Sequence, residues 1–416
     1  MNKGLFVKAL TVFLAFGFAQ GEEKSLEEAW TAWEAGEIPL AGARAQEQLA
    51  NEQRSDEARH ILLLTAFVRG DYDGALLHYD AIGESYERLG ELDEPVLNAY
   101  LHLGRFDDAE RFARQHGMPE WHVDVLAKRA AHPLKVDLDK VTVVPFAKHF
   151  LVEYFPGFDA EINGKKVLAH IDTGGAFLHM GPKRAERLGI ELREGGTGHH
   201  GSREVSLFHG IAESFSLGEA KLENVPVVVL PSLVGGQDFI IFGTNILQRF
   251  LATLDYPNKR LILSPRQSEQ DREKHLALLP DNRTRIPFSM WGDHFMFVRG
   301  SVGKHTGLNF FVDSGLVDVS PDGKGGMLQS AFTTSRIKFQ EWGFTEDQTD
   351  QPRFESNQTL AIGPLEQTDL LFRPGMVGDT SFGGVRIDGL ISHAFLKHYA
   401  WTIDFDERVY LFSYAR

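Results

Sequence analysis

Ile171-Asp172-Thr173-Gly174-Gly175 decides the fold, read together with Val312-Asp313-Ser314-Gly315, whose Asp lies 141 residues later (313 − 172). Each is an apolar residue, an Asp, a small hydroxyl residue and a Gly. One copy alone reads as an ordinary turn, because these are common turn residues. Two copies, each set in a longer matching block, need a different reading.

Working outward, Ala160-Glu161-Ile162, Asn163-Gly164 and Lys166-Val167-Leu168-Ala169 predict a hairpin that runs into Asp172. Asn-Gly is a strong two-residue hairpin signal. Ahead of Asp313, Phe295 to Val298, Gly303 and Asn309 to Val312 predict the same arrangement. Downstream, Pro182 to Gly189 and the stretch ending at Trp342-Gly343 predict short helices closed by Gly. Ile240-Ile241-Phe242-Gly243 then matches Gly389-Leu390-Ile391-Ser392, and Leu254-Asp255-Tyr256 matches Ile403-Asp404-Phe405. The interval from the Asp to that Gly or Ser is 71 (243 − 172) in the first half and 79 (392 − 313) in the second. The chain therefore contains a diverged duplication, with one lobe over 140–264 and another over 285–416. The charged segment between them carries Pro265 and Pro280. Thr142 to Phe146 and Phe150 to Phe155 are further expected strands, and Asp255, Asp318, Asp388 and Asp404 read as turn or loop residues.

This arrangement resembles the pepsin/retropepsin superfamily of aspartic proteases, and within it the bacterial retropepsin-like type. The resemblance covers about 140–416 and implies an all-β bilobal aspartic-protease fold. It makes Asp172 and Asp313 the catalytic pair. Thr173 and Ser314 would cross-brace the two loops, and Gly174 and Gly315 would allow the tight backbone. The Gly- and His-rich run Gly195 to Gly201 is the expected flap loop, with Gly196, Thr197 and Gly198 as its centre. The chemistry independently favours a pair. Hydrolysis without a metal or a covalent intermediate needs one group to take a proton from water and another to protonate the carbonyl oxygen. Two adjacent carboxyls sharing one proton supply both, and they titrate jointly. A chain with both motifs implies an active monomer. One departure matters: such proteases usually carry Ser or Ala after the Gly, where this chain has Gly175 and Leu316. Neither side chain can donate a hydrogen bond to the carboxylate. That predicts raised pKa values for the pair and a pH optimum displaced toward neutral.

The N-terminal part is of another kind. From about 22 to 130 apolar residues fall at helical spacing. Gly36, Gly70 and Gly104 recur at intervals of 34, each followed five residues later by Ala41, Ala75 or Ala109. A 34-residue period with a Gly between paired helices resembles the tetratricopeptide (TPR) repeat, which implies an all-α helical repeat domain and a protein-binding surface. Ahead of it, Lys3 and Lys8 precede an apolar run from Ala9 to Phe18, and small residues follow at Gly17 and Ala19. This predicts a signal peptide over 1–19, and with it a periplasmic or secreted protein.

The whole is thus expected to be multidomain. A net charge of −15 argues against nucleic acid or an anionic membrane as partner, and the absence of cysteine excludes disulfides. His179, His199, His200 and His209 match no zinc spacing, and no metal or cofactor is expected. No nucleophile elbow or His-Glu-x-x-His pattern is present. The reading is an exported aspartic endopeptidase acting on protein or peptide substrates, with a partner surface on the helices. The alternative is a non-catalytic peptide-binding scaffold.

Overall fold

The structure is a computed structural model that describes residues 26–51, 55–200, 203–231, 239–321, 326–344, 354–356, 358–375 and 380–414. The expected signal peptide, 1–19, lies outside the described residues. The chain forms two compact units. The first runs to Leu103 and takes in Ser381–Arg386, and the second comprises Gly104–Thr380 and Ile387–Arg416.

The first unit is helical: α1 runs through 26–34, α2 over Ile38–Asn51, α3 over Asp56–Val68, α4 over Tyr72–Asp80 and α5 over Asp93–His102. Local chemistry sets several boundaries. Ser55 caps α3 by accepting from the Ala58 N–H, and Asp71 caps α4 by accepting from the Gly74 N–H. Gly36 and Gly70 sit between successive helices with φ of 73° and 84°, a left-handed turn that glycine adopts without steric cost. Ala41 and Ala75 are buried, as are Trp33, Ile61 and Phe67. Within this unit the Trp33 Nε1–H donates to the carbonyl of Gly383 at 2.8 Å.

The second unit begins with α6, Phe106–Gln115, and α7, Glu120–Ala131. It continues into β structure with three main sheets. An eight-stranded sheet carries Lys165–Asp172, and a sheet in the second lobe carries His305–Val312. A six-stranded sheet joins the lobes: Leu251–Asp255 pairs antiparallel with Tyr399–Asp404, with Ala252 opposite Ile403. The strands that carry the matched blocks Leu254-Asp255-Tyr256 and Ile403-Asp404-Phe405 therefore pair across the lobe boundary, with Leu254 opposite Trp401.

Each lobe repeats one local topology. In the first, Lys165–Asp172 lies parallel to Phe239–Gly243, with Asp172 opposite Gly243, and Leu178 pairs antiparallel with Phe242 on the other side. In the second, His305–Val312 lies parallel to Gly389–Ile391, and Phe332 pairs antiparallel with Ile391. The apolar strand is thus paired along both edges, and Ile240, Phe242 and Ile391 are buried. The hairpin before Asp172 turns at Asn163-Gly164, with φ of 48° and 72°, the signature of a type I′ turn. Pro182–Leu188 and Arg336–Glu341 are short helices, followed by Gly189 and Gly343 at φ 75° and 83°.

Two expectations change. The Phe150 to Phe155 run is not a strand but a 3₁₀ turn over Phe150–Glu153. Val152 and Phe155 are both buried while Glu153 is exposed, and a spacing of three puts the two apolar side chains on one face of such a turn. The run around Gly196, Thr197 and Gly198 is not a loop. It belongs to strand Arg193–His200, which pairs with Arg203–Leu217. A bulge absorbs its glycines.

Candidate active site

Each Asp stands at the end of a hairpin strand where the chain leaves the sheet. Asp172 Oδ1 accepts from the Gly174 N–H at 2.8 Å, and Asp313 Oδ1 accepts from the Gly315 N–H at 2.9 Å. A carboxylate that accepts the amide two residues on fixes its own loop.

The two loops then interlock. The Thr173 N–H donates to Ser314 Oγ at 3.1 Å, and the Ser314 N–H donates to Thr173 Oγ1 at 2.9 Å. The hydroxyls donate onward, Thr173 Oγ1 to the Val312 carbonyl at 2.9 Å and Ser314 Oγ to the Ile171 carbonyl at 3.3 Å. Both side chains are fully buried. Four buried bonds thus satisfy the backbone N–H and the hydroxyl of both Thr173 and Ser314, which holds the two loops together. Thr244 Oγ1 adds a fifth bond to the Thr173 carbonyl at 3.0 Å.

The glycines allow the carboxyls to meet. A Cβ on Gly174 would fall 2.7 Å from the Asp313 carboxyl carbon, and one on Gly315 would fall 2.0 Å from that of Asp172. Each carboxyl therefore rests against the other loop's glycine. The electrostatic consequence is direct. Removal from water, then the charge and hydrogen bond of Asp172, push Asp313 well above the usual carboxylate range. The backbone N–H groups of Gly315 and Leu316 oppose that shift. Leu316 thus supplies a donor through its backbone that its side chain lacks.

Gly175 is the other departure. Nothing closer than the His179 ring, at 3.5 Å, would meet a Cβ there, so the position has room for a side chain. His179 Nε2 accepts from the Ala176 N–H at 3.1 Å and so steadies the outgoing loop. Among the described residues no group of three or more His, Cys, Asp or Glu is placed to hold a metal.

The remaining Asp residues have structural partners. Asp255 Oδ2 accepts from Arg260 Nε at 2.7 Å, and Asp404 Oδ2 accepts from Arg272 Nε at 2.9 Å. Asp388 accepts from the Asn309 N–H at 2.9 Å and pairs with Lys338 Nζ at 2.9 Å. Asp318 forms a buried ion pair with Arg373. Two histidines near the Asp strands went unnoticed in the sequence. His170 is buried beside Phe155, and His393 follows Ser392; burial lowers them to about 4 and about 3. A lone His in an apolar strand gives no signal of that environment.

Comparison with known proteins adds a family to this geometry. Residues 158–246 match the model of the aspartyl protease family. The match contains Asp172, Thr173 and Gly174 and ends just past Gly243. It points to a peptidase domain over those residues. Among solved structures, a retropepsin-like aspartic protease from Rickettsia conorii is 20% identical, with a TM-score of 0.25, over 32% of this chain and 93% of that one. The aspartic proteinase from Irpex lacteus is 12% identical, with a TM-score of 0.44, over 66% of this chain and 98% of that one. No curated protein matches the chain.

Proposed function

We propose that this chain is an exported aspartic endopeptidase in which Asp172 and Asp313 share one proton and activate water. The observation that carries the reading is the reciprocal packing of each carboxyl on the other loop's glycine, braced by Thr173 and Ser314. Burial and the adjacent carboxyl push Asp313 upward, which keeps one proton on the pair. The ionised partner takes a proton from water as the water oxygen attacks the peptide carbonyl carbon. The protonated partner gives its proton to the carbonyl oxygen. Collapse of the resulting diol breaks the C–N bond: one diol hydroxyl returns its proton to the ionised carboxylate as the carbonyl re-forms, the protonated carboxyl gives its proton to the leaving nitrogen, and the pair is left again with one proton. No metal, cofactor or covalent intermediate is needed.

Export rests on the sequence of 1–19, and the mature protein is proposed to work in the periplasm or outside the cell. Among the described residues no helix is long and apolar enough to cross a membrane. The helical unit is proposed to be a degenerate TPR-like array that recruits a protein. Support comes from the helix–Gly–helix order at Gly36 and Gly70, both at positive φ. A cavity of about 690 Å³ on that unit, lined by Glu27, Glu28, Glu37, Leu40 and Arg44 among others, would serve such a role.

The test is cleavage of an unstructured protein by the full chain beside Asp172→Asn and Asp313→Asn. Loss of at least about a thousandfold in kcat/KM for each variant is expected. Equal cleavage by the variants rejects the mechanism. Tight binding of peptide without cleavage at any pH favours a non-catalytic scaffold.

A further inference from the structure

The bulge in strand Arg193–His200 has an unusual neighbour. Glu194 pairs with Phe208 and Thr197 pairs with Ser206, so Gly195 and Gly196 together face Leu207 alone. Two residues opposite one is a β-bulge, which bends its strand and interrupts the ladder. Both glycines are enclosed. Gly196 has a φ of 74°, and a Cβ on it would fall 2.4 Å from Trp121 Cζ2. A Cβ on Gly195 would fall 2.2 Å from His209 Cδ2. The His209 Nε2 bonds the Gly195 carbonyl at 3.1 Å, and its ring stacks on Trp121 at 5.8 Å and 11°.

Trp121 lies in the first turn of α7. Two turns further along the same helix, about 12 Å away by helical rise, Arg129 places its guanidinium 4.8 Å from the Phe177 ring centre. Phe177 closes the loop that starts at Asp172, and its carbonyl accepts from the Gly243 N–H at 2.7 Å. A single helix therefore touches both the bend of the 193–217 hairpin and the return of the catalytic loop. Burial lowers the pKa of His209 and of His122, which favours the neutral rings.

We infer that Trp121 is a positioning residue of the peptidase: with His209 it fixes the Gly195–Gly196 bulge as the hinge of the 193–217 hairpin, and α7 sets that hairpin's attitude toward the substrate. Beyond the bulge, residues 197–200 pair with 203–206. The hairpin's base is held by a rigid aromatic sandwich. Bending concentrates at the bulge, where the ladder is broken and the chain has no side chains of its own. This inference rests on the peptidase reading only for its kinetic half.

The experiment measures two things on the full chain and on Trp121→Ala, Trp121→Phe and His209→Gln. Amide hydrogen exchange reads the hinge without any turnover. Trp121→Ala is expected to speed exchange at 197–200 and 203–206 about tenfold, with the amides of Leu251–Asp255 and Tyr399–Asp404 unchanged. Peptide cleavage reads the consequence: KM is expected to rise about tenfold while kcat falls less than threefold or so. Trp121→Phe should restore most of both, and His209→Gln, which keeps a bond to Gly195 but loses the stack, should resemble Trp121→Ala. Unchanged exchange at 197–206 in both Trp121→Ala and His209→Gln overturns the inference. So does acceleration that spreads equally to the sheet joining the lobes, since that marks Trp121 as a general stabiliser. If the parent chain cleaves nothing, the peptidase reading falls, and the exchange pattern still decides the hinge.

Discussion

The two Asp loops agree where they face each other and differ where they face away. Thr173 and Ser314 exchange the same bonds, and Gly174 and Gly315 receive the opposite carboxyls. Past that point the lobes diverge. The first lobe reaches its flanking strand at Leu178, six residues after Asp172 (178 − 172), whereas the second reaches it at Phe332, 19 residues after Asp313 (332 − 313). The extra length holds a small hairpin, Val319–Pro321 with Met327–Gln329. The difference teaches which constraint is shared. Mutual bracing fixes the inner residues, because a change on one side leaves a buried partner unsatisfied on the other. The return path answers only to its own lobe.

Gly243 and Ser392 make that contrast testable. A Cβ on Gly243 would lie 1.8 Å from the Ala176 carbonyl oxygen, because the short return folds straight back over it. In the second lobe the longer return leaves space, and Ser392 Oγ donates to the Ser330 carbonyl at 2.5 Å. Gly243→Ala should therefore destabilise the second unit by about 3 kcal/mol or more, since backbone cannot yield as a flexible side chain does. Ser392→Ala should lose only about 1 kcal/mol. Urea unfolding followed at the second unit's transition measures both, and equal losses would show that the lobes are built alike here after all.

The brace should respond symmetrically. Thr173→Val and Ser314→Ala each remove a hydroxyl from a buried crossing and each should lose about 1–3 kcal/mol. The double variant should lose clearly less than the sum of the two, because each single change already strands the other's partner. Strict additivity in a double-mutant cycle would break the claim that the two loops act as one unit.

The smallest effect concerns pH. Activity needs one proton on the pair, so the acid limb of the profile follows the lower of its two pKa values and the alkaline limb follows the higher. The upward push on Asp313 raises the alkaline limb. Gly175→Ser adds a hydroxyl beside Asp172 at a position with room for it. A donor to the charged form lowers a carboxyl pKa. The acid limb should move down by about half to one pH unit while the alkaline limb stays in place. A profile of kcat/KM against pH that does not move would mean the serine turns away from the carboxylate.

Much of this protein was legible in its sequence because the determining signals are local. Asn163-Gly164 sets a hairpin, and Gly189 and Gly343 end their helices. Both Asp tetrads are contiguous. The duplication was readable because blocks 71 and 79 residues from each Asp kept their apolar pattern. The 150–155 run misled, since a short apolar stretch fits a strand or a turn equally until its burial is known. The Gly195–Gly198 run misled for a related reason: glycine marks a loop in sequence, but here it marks a bulge inside a strand.

By itself, then, the sequence determined the two halves, the identity of the paired Asp residues and the helical character of what precedes them, because periodicity and turn chemistry act over a few residues. Only the tertiary structure decided that each carboxyl rests on the other loop's glycine, that Asp313 carries the upward pKa shift, and that Trp121 reaches Gly196. Those facts depend on burial and on contacts between residues 75 to 143 positions apart, where no spacing rule operates and packing alone chooses the neighbours.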